Sequence, residues 1–214
     1  MTVRRSVLSF PAFTPAFAGL RERLRGPGGW YNLGNAIGLA VGLGLQIVAM
    51  GTAQGLIGYL AGNASALALT VATLIFFWSG EVYHRAWAQG APPDARLNRM
   101  GDVSSAVGAL ALGLGLLMLG QPLLALFSGL LHAVGKIGSA FSHQTALAFW
   151  PGHWPDGWRS AVLVSRFPAI GAALFGLSHI LTHTAVSTAD LLTALSLLAS
   201  YACWTKADLM LFRS

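Results

Sequence analysis

Phe167-Pro-Ala-Ile-Gly-Ala-Ala-Leu-Phe-Gly-Leu-Ser-His-Ile-Leu-Thr182 is apolar enough to cross a bilayer, except that His179 sits inside it. A second such run, 67–87, carries His84 near its end. An ionisable side chain is costly in hydrocarbon, so a histidine within such a run is a candidate functional group by default.

The rest of the chain has the same character. Of its 214 residues, 55% are hydrophobic and 9% charged, and the mean hydropathy is +0.62. A soluble domain carries about 25% charged residues. Stretches 32–51, 65–87, 103–120, 122–142, 167–186 and 189–211 are each long enough to span, at about 17–25 residues per helix. The expected fold class is all-α: a polytopic bundle of about six transmembrane helices over residues 30–214. A basic N-terminal interfacial segment, 1–29, precedes it, with a partly disordered basic tail as the other reading of these residues. There Phe10, Phe13, Phe17 and Leu20 are mixed with arginines and prolines, a composition suited to anionic headgroups.

The charges follow these spans. Arg4, Arg5, Arg21, Arg23 and Arg25 precede the first, and Arg85, Arg96 and Arg99 fall at or after the end of the second. Arg159 and Arg166 lie between the fourth and fifth, and Lys206 and Arg213 lie at the end. The alternate loops, 51–63, 120–122 and 184–189, have no lysine or arginine. This positive-inside pattern puts both termini in the cytoplasm of a multi-pass protein, expected in a bacterial inner membrane. The net charge of +6 is thereby assigned to cytoplasmic loops in contact with the lipid bilayer rather than to nucleic acid. Trp150, Trp154 and Trp158 in the stretch 143–165 predict an interfacial loop or short surface helix. Gly34, Gly38 and Gly42 form a small-residue face, suited to a compact bundle or an oligomer contact. The single Cys203 rules out an internal disulfide.

Polar groups inside the spans set the chemistry. Glu81 lies three residues before His84, and Lys136 four after His132, each pair on one helical face. Glu81 and Lys136 are expected to form a buried structural ion pair. Counting about 1.5 Å per residue puts His132 and His179 near mid-membrane, where they could face each other across a ligand. The same count leaves His84 shallower by about 8 Å. Imidazole ligates haem iron, zinc, copper or iron. The lone cysteine excludes a zinc-cysteine site, and Glu81 is too isolated for a di-iron centre. Transmembrane imidazoles among glycines and aromatics suit haem b.

Two blocks also resemble the NnrU family of small polytopic membrane proteins. The first is His84 followed by Arg96-Leu97-Asn98-Arg99-Met100-Gly101-Asp102 and the apolar run to Gly120. The second is Arg166-Phe167-Pro168-Ala-Ile-Gly171, then Ser178-His179-Ile-Leu181, then Asp190 to Trp204. Together they span residues 75–211, roughly. Phe167 replaces the histidine of that family's RHP element, which argues against a methyltransferase. The family is related to 15-cis-zeta-carotene isomerase, a haem b protein, so the resemblance implies His84 and His179 as axial ligands. The function expected is therefore an integral membrane protein binding haem b through His84, His179 or His132, in a redox or isomerase role. The alternative is a non-catalytic accessory or assembly subunit of a larger membrane complex, or a homo-oligomer. A third reading is a proton or small-solute channel using Glu81, His132 and Lys136.

Overall fold

A computed structural model describes residues 14–40, 44, 63–90, 92–141, 154–182 and 188–212. Every regular element among them is helical. A short α1 (Thr14–Arg23) leads into α2 (Pro27–Gly34), which continues as a π-helical stretch, Asn35–Ala40. The long helices follow: α3 (Ala64–Ala86), α4 (Ala95–Met118), α5 (Pro122–Phe141), α6 (Trp154–Thr182) and α7 (Thr188–Phe212). Within α5 the residues Ala125–Leu131 are π-helical. By length and composition α3, α4 and α5 can each cross a membrane.

Local chemistry sets the boundaries. The Asn63 side chain caps α3 by accepting from the Ala66 amide at 3.0 Å, and Asp94 caps α4 from Leu97 at 2.8 Å. Gly120, at φ +72°, ends α4 in the left-handed region, and Pro122 opens α5 two residues later.

From α2 to α7 each helix packs on the next, and α7 returns to α2, closing a ring of antiparallel neighbours. The seams are lined by small residues. Gly113 of α4 meets Gly129 of α5 so closely that a Cβ on either would crowd the other's backbone. Gly34 and Gly38 press on Trp204 and Ser200 of α7, so this glycine face serves an intramolecular contact. Gly42 lies outside the described residues. Between the helices sits an aromatic core of Tyr31, Tyr83, Tyr201 and Trp204, closed by Ala169, Ala173 and Ala207. Large apolar side chains such as Leu74, Trp78, Leu117, Leu123 and Phe167 point outward, as a bilayer requires.

Two sequence expectations change. Helix α4 begins at Ala95 rather than 103, and α6 at Trp154 rather than 167. Pro168 lies inside α6. A proline there removes one backbone hydrogen bond, and packing through the buried Ala169 and Ala173 keeps the helix continuous. The stretch 143–165 is accordingly helical from Trp154, and Trp158 lies against Gly138 of α5. Of the expected first span, 32–51, only residues to 40 and residue 44 are described. In the N-terminal segment, Arg23 reaches Glu81 at 3.8 Å and Trp30 donates to the Leu24 carbonyl at 2.9 Å.

Candidate functional site

Buried stripes on four helices converge near the end of the ring that carries the α3–α4 connection. On α5 the stripe runs Ser128, His132, Lys136, one residue per turn. On α4 it includes Asp102, Ser105, Ala106 and Ala109; on α6 Val162, Ser165, Arg166 and Ala169; on α7 Ser200, Trp204 and Asp208. Tyr31 of α2 and Tyr83 of α3 complete the level.

Lys136 is the hub. Its Nζ lies 3.3 Å from Asp102 Oδ1 and 3.3 Å from Asp208 Oδ1. It also donates to the Tyr31 hydroxyl at 2.9 Å and the Tyr83 hydroxyl at 3.1 Å. Those hydroxyls in turn donate to Asp208 and Asp102, respectively. The two tyrosine rings stack at 5.1 Å, with the ammonium over both faces. Arg166 Nε holds the other oxygen of Asp208 at 2.9 Å, and Ser139 donates to the other oxygen of Asp102 at 3.3 Å. Two cations thus balance two carboxylates, which is how buried charges persist in a low-dielectric interior.

His132 closes the network on one side. Arg166 is donor-only, so the His132 Nε2 at 3.3 Å accepts from it. The proton then sits on Nδ1, 3.2 Å from Ser165 Oγ, whose own hydrogen goes to the Val162 carbonyl at 2.6 Å. This set of donors assigns a neutral ring with both nitrogens engaged. Beyond it, Arg166 lies over the Trp204 ring at 5.5 Å, and Trp204 donates to Asn35 at 2.9 Å.

A cavity of about 370 Å³ opens onto this network between α4, α5, α6 and α7. Asp102, Lys136 and Asp208 belong both to the network and to its lining. Asn98, Arg99 and Ser139 form its polar wall, and Val162 and Leu211 part of its apolar wall. Its volume would hold roughly ten waters at about 30 Å³ each.

The residues singled out from the sequence fall in different places. His132 and Lys136 are brought together in the network. The expected Glu81–Lys136 ion pair does not form: Glu81 pairs with Arg85 at 3.2 Å and with Arg23 at 3.8 Å. Lys136 lies on another helix, matched by Asp102 and Asp208, so no unpaired charge remains for Glu81 to meet. Arg166, counted as a loop charge, is only 5% exposed and belongs to the network. His84 is half-buried near the end of α3, its backbone packed against Gly28. His179 stands on α6, and its side chain lies outside the described residues.

Both ring nitrogens of His132 have protein partners, and among the described residues no histidine lines the cavity. No cluster of three or more histidine, cysteine or carboxylate ligands occurs among them either. No family model, no curated protein and no solved structure matches this chain.

Proposed function

We propose that this chain is a multi-pass protein of a bacterial inner membrane that takes up a small charged solute into the cavity at its α3–α4 end. In this reading α2 with its continuation, α3, α4, α5, α6 and α7 provide six spans, with both termini cytoplasmic. Support for the orientation is the charge pattern: Arg85, Arg96 and Arg99 flank the α3–α4 connection, while 120–122 has no cation. The cavity then faces the cytoplasm.

The observation that carries the solute reading is the double membership of Asp102, Lys136 and Asp208. A purely structural ion cluster needs no access, and an opening only weakens it by admitting water. Here the same three side chains end a cavity large enough for a small metabolite. Intramembrane charges that meet such a cavity characteristically mark solute or ion pathways.

The test is a single-cysteine experiment. Ser139→Cys in a Cys203→Ser background is exposed to a membrane-impermeant thiol reagent in everted and in right-side-out vesicles. Labelling from the cytoplasmic face alone is expected. Labelling only from the outer face would overturn the orientation, and no labelling from either face would overturn the solute site. The haem reading rests on the short NnrU-like motifs, and its check is the absorbance spectrum of the purified protein. A Soret band lost in His179→Ala would support it.

A further inference from the structure

We propose that the cavity selects anions, with Arg99 as the residue that sets the preference. This rests on the solute-site reading above and names the class of solute: a small oxyanion such as a carboxylate or phosphate.

The charge count carries it. Asp102 and Asp208 are matched within the network by Lys136 and Arg166, and each also accepts a tyrosine hydroxyl. Nothing in that set is left to attract a cation. Arg99 is different. It lies in the cavity wall, half-buried, one turn before Asp102 on α4. Among the described residues its guanidinium has no ion pair and no hydrogen bond. Among the described residues, cavity and network together therefore carry two carboxylates and three cations, a surplus of one positive charge located on Arg99.

Geometry adds to charge. A guanidinium presents a planar fork that matches a carboxylate or phosphate in bidentate fashion. The Asn98 amide, adjacent on the same helix, supplies further donors in the same wall. Low-dielectric walls raise the worth of such an interaction above that at an open surface. An entering anion would meet Arg99 first, with Lys136 already satisfied deeper in.

The experiment compares two small thiol reagents of opposite charge, sulfonatoethyl and trimethylammonioethyl methanethiosulfonate, at Ser139→Cys in a Cys203→Ser background in phosphatidylcholine vesicles. The anionic reagent is expected to react about tenfold faster, the effect of about 1.4 kcal/mol. Arg99→Gln should abolish or invert the ratio, and Arg99→Lys should keep its direction. Inorganic phosphate in solution slowing the anionic reagent would indicate a soluble solute, and phosphatidylglycerol in the bilayer doing so would indicate a lipid headgroup. Equal rates, a preference untouched by Arg99→Gln, or no slowing by either anion would overturn the inference. Failure of both reagents to react would instead overturn the solute site itself.

Discussion

Helices α4 and α5 are joined in two ways along one interface. Toward the α4–α5 turn, Gly113 and Gly129 bring the backbones together, with Ala109 and Ala125 carbonyls beside them. Toward the α3–α4 end, the same helices are held apart by side chains, and Asp102 meets Lys136 across the gap. One half is sealed by the absence of side chains and the other is filled with charge and opens to a cavity. Between apolar helices in lipid the hydrophobic effect offers little, so close packing and polar contacts must supply the adhesion. Small residues do this without function. Charges add cost as well as adhesion, and their concentration at one end marks that end as the candidate site.

The largest effect should come from the hub. Lys136→Met leaves Asp102 and Asp208 to share Arg166, and breaking a buried pair from one side costs about 3–5 kcal/mol. Thermal unfolding in detergent should show it. Adding Asp102→Asn restores the balance, since Arg166 and Asp208 remain paired at 2.9 Å. The double variant should recover more than half of the loss. A double variant as unstable as the single one would break the charge-balance explanation of this half.

The sealed half responds to volume instead. Gly129→Leu places a side chain against the Gly113 backbone, and such overpacking costs about 1–3 kcal/mol. Gly129→Ala should cost less. If both were neutral, the close approach of α4 and α5 would not be what holds that half. A smaller effect is expected at its polar contact, where Ser128 and the Tyr201 hydroxyl lie 2.7 Å apart. Tyr201→Phe should lower stability by about 0.6 kcal/mol, the typical worth of a hydrogen bond between membrane helices.

Much of the sealed half was legible in the sequence. Apolar runs gave the positions of α3 and α5 to within about two residues, because length and hydropathy report spans directly. The charged end was legible in pieces. The four-residue spacing of His132 and Lys136 put both on one face of α5, and the structure joins them in one network. Their partners were harder to see. Asp102 falls one residue before the expected third span, so an apolar window cut it off from the helix that carries it. Arg166 looked like a loop cation because the apolar window opened at Phe167, whereas α6 had begun at Trp154. Tyr31 and Tyr83 gave no signal, since a tyrosine suits core, interface and network alike. The available signal was acidic scarcity: with seven Asp and Glu in the chain, any lying beside an apolar run invites a search for its cation.

The contrast between the two halves is decided by comparing two single-cysteine variants, both with Cys203→Ser. Ser139→Cys lies in the cavity wall, and Ser128→Cys lies between helices in the sealed half, at 2% exposure. A water-soluble, membrane-impermeant thiol reagent applied to protein in open membrane sheets should modify the first rapidly and leave the second unreacted. Equal protection of both would contradict an open, solute-accessible network and leave it a sealed structural cluster.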